Sequence, residues 1–198
     1  MMTMKVVLVS YSLTGNNDAL ASSIASELAA EHVRITESKV RTMGMIALDR
    51  LLSRTPRVSP AVENADGYDV AIFVGPVWMG RVAAPLRAYL RHIRRRPVRY
   101  AFVSVSGGAD GPNLGLAVDL SKRTGRAPAA VIDLHVVDLL PPSPKPTRQN
   151  TESYCLTDQD VRNMTETVLK SLREAAIVEG IGIERARAVG SVPGRGSF

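Results

Sequence analysis

The sequence predicts a doubly wound α/β protein, with a five-stranded parallel sheet and helices on both faces. Short β-favouring runs alternate with helix-period segments along most of the chain. Two of those runs, Val6–Val9 and Val70–Val74, are apolar without interruption, as strands buried on both faces are. Parallel neighbours need helical crossovers, and right-handed crossovers over five strands favour the order 2-1-3-4-5.

The elements follow in turn. Residues Lys5–Ser10 read as a buried strand, and Asn17–Glu31 as a helix with Leu20, Ile24 and Leu28 on one face. Val33–Ser38 alternates like a strand near an edge. Met43–Arg54 has helical spacing in Ile46, Leu48, Leu51 and Leu52, and a Pro-containing connection covers 57–66. Val70–Val74 is the third strand, closed by Gly75-Pro76. Ala84–Arg94 is a helix, Tyr100–Val105 a strand, Asn113–Thr124 a helix stopped by Gly125, and Ala130–Val137 the fifth strand. The proline run Pro141–Pro146 cannot be regular structure. Thr157 caps a last helix with Val161, Met164, Val168 and Leu172 turned inward. Residues 1–178 are expected to form one domain, and the glycine-rich residues 179–198 a flexible tail.

At 198 residues the chain is long enough to bury a substantial core. Cys155 is the only cysteine, so neither an intrachain disulfide nor a thiolate metal cluster is available. His32, His92 and His135 show no metal-ligand spacing, and no metal is expected. No apolar run is long enough to span a membrane and no leader pattern is present, so the cytoplasm is the expected location. The net charge of +6 concentrates in Arg87, Arg91, Arg94, Arg95, Arg96 and Arg99, around the end of one helix. Cations are favoured at a helix C-terminus, and no nucleic-acid-binding signature accompanies these. A solvated basic face is expected, with an acidic partner or anionic substrate as the functional alternative.

The most informative stretch follows the first strand: Ser10, Tyr11, Ser12, Leu13, Thr14, Gly15, Asn16, Asn17. Small hydroxyl and amide side chains stand where a parallel strand hands over to a helix. Backbone N–H groups and the positive helix end can hold a phosphate there. An ordinary connection with Asn17 as N-cap is the plain alternative. Ser12-Leu13-Thr14-Gly15-Asn16-Asn17 resembles the S/T-x-T-G-N-T phosphate loop of flavodoxin-like proteins, departing at Asn17, where the family has a hydroxyl residue. Asn still carries a side-chain donor. Asp18, just behind, competes with an anion for the helix end.

Two more loops extend the resemblance. After the third strand comes Gly75-Pro76-Val77-Trp78-Met79-Gly80-Arg81, similar to the family's second flavin-contacting loop; the only tryptophan lies here. Its indole can stack on a flat ring, or plug the core beneath its loop. After the fourth strand, Ser106-Gly107-Gly108-Ala109 resembles the start of the third family loop, where paired glycines permit close backbone approach; a flexible turn before a helix is the plain alternative.

The resemblance implies FMN as cofactor, with Ser10, Ser12, Leu13, Thr14, Gly15, Asn16 and Asn17 at its phosphate end. Pro76, Val77, Trp78, Met79, Gly80, Ser106, Gly107, Gly108 and Ala109 would surround its ring. Electron-carrier flavodoxins are typically acidic and often hold the flavin between two aromatics. This chain is basic, and its Ser104–Asn113 loop has no aromatic residue. One flavin face is then open to a nicotinamide or a flat acceptor such as a quinone, which favours an FMN-dependent oxidoreductase. A carrier docking a redox protein partner, or a flavin-free binding module, are the alternatives. Arg81 is a possible contact for an anionic substrate. Met43–Arg54 and the proline run would shape an acceptor pocket if either folded over the site.

Overall fold

The computed structural model describes residues 4–37 and 58–178. The helix expected over Met43–Arg54 and the tail expected over 179–198 lie outside the described residues.

Five strands form the main sheet: β1 (Val6–Ser10), β2 (Glu31–Arg34), β3 (Val70–Val74), β6 (Arg99–Ser106) and β7 (Ala130–His135). Their order is β2-β1-β3-β6-β7 and every pairing is parallel, as 2-1-3-4-5 requires. The numbers 4 and 5 go to a short antiparallel hairpin, β4 (Val77–Trp78) and β5 (Arg81–Val82), inside what the sequence presents as the second loop. All residues of β1 and β3 are buried, which explains their unbroken apolar runs.

Because side chains alternate across a strand, the sheet feeds two separate cores. Leu8, Ile72, Ala101 and Val103 point to one face, where α1 (Asn16–Leu28) contributes Leu20, Ile24 and Leu28 and α5 (Asp158–Glu174) contributes Met164, Val168 and Leu172. Val161 is only partly buried. Val9, Phe73 and Phe102 point to the other face. There α2 (Leu86–His92) supplies Leu86, Tyr89 and Leu90, and α3 (Leu116–Thr124) supplies Leu116 and Leu120. Each fully buried Leu or Ile contributes about 1.5–3 kcal/mol by leaving water.

Several boundaries move for identifiable reasons. Helix α1 stops at Leu28 because Ala29 turns left-handed (φ 48) and caps it, so Glu31 and His32 belong to β2. Helix α2 tightens into a 3-10 turn over Ile93–Arg95. Helix α3 begins only at Leu116, since Asn113 is held by a side chain of β7. The run Pro141–Pro146 is irregular and exposed apart from Pro146, as expected, but leads into a five-residue helix, α4 (Arg148–Glu152). A Thr157–Asp160 capping box opens α5.

Tyr89 shows how a polar group is accommodated in the second core. Its ring is fully buried and its hydroxyl donates to the carbonyls of Pro60 (2.8 Å) and Ala61 (3.1 Å). Burial, with a smaller contribution from the Glu63 carboxylate, pushes the phenol from 10.0 up to about 12. A raised folded-state value means the stabilisation is complete below pH 10 and is lost as pH rises through about 12. Tyr89→Phe is expected to cost about 1–2 kcal/mol at neutral pH through the two orphaned carbonyls. It should also flatten that alkaline loss, which urea denaturation across the same range would measure.

Candidate functional site

The chain leaves β1 towards β2 on one side and returns through β3 on the other, so β1 and β3 define the switch point of the sheet. In open α/β sheets such a point opens a crevice at the carboxyl ends of the strands. The loops after β1, β3 and β6 all leave from this edge.

The first loop is a sharp bend. Tyr11 is buried, Ser12 partly so, and Leu13, Thr14 and Gly15 are exposed. Gly15 caps α1 with φ 97, and its amide donates to Ser12 Oγ at 3.0 Å. The first-turn amides of α1 have no intrahelical acceptor, and they point out of this bend. Thr14 has no hydrogen-bond partner among the described residues, so its hydroxyl is available. Asp18 is held by Arg34 at 3.0 Å, which offsets its charge beside the helix end. Gly15, not Asn17, is the N-cap.

Three side chains attributed to this loop have other partners. The Ser10 hydroxyl is buried and shares a 2.8 Å hydrogen bond with His32 Nε2 across the β1–β2 seam. Burial, then the Arg34 charge, keeps His32 below its ordinary pKa. Asn16 donates to the Tyr154 carbonyl (2.8 Å) and accepts from the Leu156 amide (3.0 Å), fastening the segment that precedes α5. Asn17 donates to the Val105 carbonyl and accepts from the Val105 amide, both at 2.9 Å. The side-chain donor that the sequence offers to a phosphate at position 17 is thus committed to β6, and what Asn16 and Asn17 offer outward is their backbone.

In the second loop Pro76, Val77 and Trp78 are half-buried, with Trp78 edge-on to Tyr11 (centroids 5.9 Å apart, interplanar angle 87°). Met79 (φ 50) and Gly80 (φ 73) form the hairpin turn, the left-handed pair that a two-residue hairpin uses. The indole packs against the α2/α3 core while Met79 is 54% exposed at the rim. Arg81 is exposed.

The third loop lies against protein on its inner side. A Cβ on Gly107 would stand 2.8 Å from Thr151 Oγ1, and one on Gly108 would overlap the His135 ring; Gly108 also has φ 75. These glycines are needed for packing on α4 and β7, independently of any ligand. Ser106 is partly buried and accepts from Asn113 Nδ2 at 3.4 Å; Ala109 is half-buried. Asp110 pairs with Arg148 at 2.7 Å on the surface, which adds little stability.

Beneath this loop lies a polar cluster that sequence reasoning missed. The Asp133 carboxylate accepts from the Ser104 hydroxyl, the Asn113 amide (3.1 Å), Asn113 Nδ2 (3.0 Å) and His135 Nε2 (3.0 Å). Burial alone would raise its pKa. The hydrogen bonds from Ser104 and Asn113, with His135 nearby, outweigh burial and hold Asp133 below its ordinary value. The alternation Val131-Asp133-His135 puts both polar groups on one face, so they were findable; their link to Ser104 and Asn113 was not. The sequence signal missed at α4 is Thr147 followed three residues later by Asn150, which form a reciprocal cap.

Neither a protein-family model nor a curated protein matches the sequence. Solved structures do match the fold. A flavoprotein from Lactobacillus acidophilus NCFM, in complex with FMN, has a TM-score of 0.58 at 21% identity over 66% of this chain and 93% of that one. The apo form of the flavoprotein from that organism, solved by NMR, gives 0.51 at 19% identity over 69% and 95%. A candidate flavoprotein from Bacteroides eggerthii DSM 20697 gives 0.59 at 13% identity over 84% and 99%. With its five parallel strands in this order and helices on both faces, the chain has the flavodoxin-like α/β fold.

Proposed function

We propose that this protein binds FMN at the carboxyl edge of β1, β3 and β6 and acts in electron transfer, as an FMN-dependent oxidoreductase. The observation that carries the reading is the first loop. The bend at 12–15 presents unpaired first-turn amides and the free Thr14 hydroxyl at a helix N-terminus, while Arg34 pairs with the Asp18 carboxylate beside it. A terminal phosphate suits that arrangement. Likeness to an L. acidophilus flavoprotein in complex with FMN supports the same cofactor.

In this reading the amides of Leu13, Thr14, Asn16 and Asn17 and the hydroxyls of Ser12 and Thr14 hold the phosphate, while the Gly15 amide stays on Ser12 Oγ. Trp78, braced edge-on by Tyr11, borders the ring on one side. The 106–109 backbone, propped on Thr151 and His135, meets the polar end of the ring. Bound FMN would supply the redox chemistry, and the chain supplies binding, orientation and partial exclusion of water. Absence of an aromatic from the third loop leaves the opposite ring face accessible to a nicotinamide donor or a flat acceptor such as a quinone. Leu13 and Met79, both exposed apolar side chains at the rim, favour a second reading in which a redox protein docks there and the chain is a carrier.

Titration with FMN and with riboflavin tests the site. FMN is expected to bind more tightly and to quench Trp78 emission. Thr14→Ala should weaken FMN by about 1.5–3 kcal/mol, the effect of one hydrogen bond to a charged group, and leave riboflavin unchanged. Equal affinities for the two flavins, unaffected by Thr14→Ala, would reject the phosphate assignment. For the holoprotein, anaerobic bleaching by NADH or NADPH supports the oxidoreductase. Reduction by a protein donor alone supports the carrier.

A further inference from the structure

The six arginines that the sequence groups around one helix end do not act together. Arg87 is buried, with Nε directed to the Val82 carbonyl at 3.3 Å. Arg96 pairs with Asp66 at 2.8 Å, and Arg99 donates to the Ala176 carbonyl at 2.9 Å near the end of α5. Arg91, Arg94 and Arg95 remain, exposed and without an ion-pair partner among the described residues.

These three meet Lys122 of α3, likewise exposed and unpaired among the described residues, across a cavity of about 740 Å³. The one carboxylate in its lining, Asp119, is already engaged by Arg123 (2.9 Å) and the Val82 amide (3.2 Å), so it does not neutralise the other cations. Helices α2 and α3 both start at the loop edge of the sheet and run back, so the cleft follows the groove between them, from Ala88 and Asp119 to the four cations at and just beyond their C-terminal ends. Those cations stand towards the edge opposite the three loops.

Cations at a helix end are favoured by the helix dipole, which accounts for the charge on each helix separately. It does not account for the convergence of two helix ends on one concavity. Four like charges there repel one another and focus a positive potential between low-dielectric walls. An anion entering the cleft relieves that repulsion. Guanidinium groups match phosphate oxygens bidentately, and the volume is that of a small-ligand site. No Phe, Tyr or Trp side chain lines the cleft, and its one imidazole, His92, is held by Asp66 at 2.6 Å, so a run of stacked nucleic-acid bases has little platform there.

We infer that the cleft between the C-terminal ends of α2 and α3 is a binding site for a small oligophosphate anion, such as a free diphosphate or the diphosphate of a nucleotide, held by Arg91, Arg94, Arg95 and Lys122. Calorimetric titration of the full chain with pyrophosphate and with ADP tests it, with citrate as a carboxylate anion of comparable charge. Pyrophosphate is expected to bind, weakening as salt is raised. The Arg94→Gln/Arg95→Gln double variant should lose at least tenfold of that affinity while keeping its affinity for FMN. ADP binding like pyrophosphate would identify a nucleotide ligand; pyrophosphate alone would identify a free diphosphate. No pyrophosphate binding at millimolar concentration, citrate binding equally well, or an unchanged affinity in the double variant would overturn the inference. So would binding of an acidic peptide or duplex DNA at the cleft in preference to pyrophosphate. Because the variant residues are far from the first loop in the fold, failure here leaves the FMN reading standing, and failure of FMN binding leaves this one testable.

Discussion

Asn17→Ala is expected to cost about 2–4 kcal/mol of stability, because it orphans both backbone groups of one strand residue. Strands β3 and β6 pair only as far as Val74 and Val103, and the Gly75 amide makes the last bond to the Val103 carbonyl. Beyond that point β6 continues to Ser106 with no strand paired on its β3 side among the described residues. The Asn17 amide group fills the gap like one further peptide unit, donating to the Val105 carbonyl and accepting from the Val105 amide, with the residue only 3% exposed. A Ser or Thr hydroxyl, a single oxygen on a shorter arm, cannot reach the carbonyl and the amide together. Asn17→Asp would leave a carboxylate oxygen facing the Val105 carbonyl, and should be at least as damaging. Urea denaturation midpoints would measure the losses. A stability unchanged in Asn17→Ala would mean that water replaces the side chain and that β6 does not depend on it.

That residue also shows where sequence reading ends. The elements followed from local signals, namely uninterrupted apolar runs in β1 and β3, helical spacing between strands and Thr157 as a cap, and the strand order from the right-handed crossovers that such elements require. These are properties of short windows, and they carried over almost unchanged. The bend before α1 was legible as a strand-to-helix turn for the same reason. Its side-chain assignments were not, because Asn17 meets Val105 and Asn16 meets Tyr154 and Leu156, partners 88 to 140 residues away. The Met79-Gly80 hairpin escaped notice because its turn lacks the usual Asn or Asp in the first left-handed position. The arginine patch misled in the opposite direction. Six neighbours in sequence share a charge, yet the fold buries Arg87, pairs Arg96 and sends Arg99 to another helix.

The last expectation concerns the cluster under the third loop. Asp133→Ala should destabilise the fold by about 2–4 kcal/mol, since it leaves the fully buried Ser104 hydroxyl, the Asn113 amide and the His135 imidazole without their shared acceptor. The effect should depend on pH with a definite sign. Asp133 is depressed in the folded state, below its ordinary value of 3.8. Its stabilisation is therefore complete above 3.8 and is lost as pH falls through the lower folded-state value. Wild type should lose stability steeply in that acid window, and Asp133→Ala, having nothing left there to protonate, should lose less. Since Gly108 rests on His135 and His135 on Asp133, the third loop should loosen as well, with faster amide exchange at 107–111. Asp133→Asn separates shape from charge: it keeps the volume but sets an NH2 or a neutral oxygen against donors that all require an acceptor. If Asp133→Asn is as stable as wild type at neutral pH, the carboxylate charge does not hold this corner together and packing alone supports the loop.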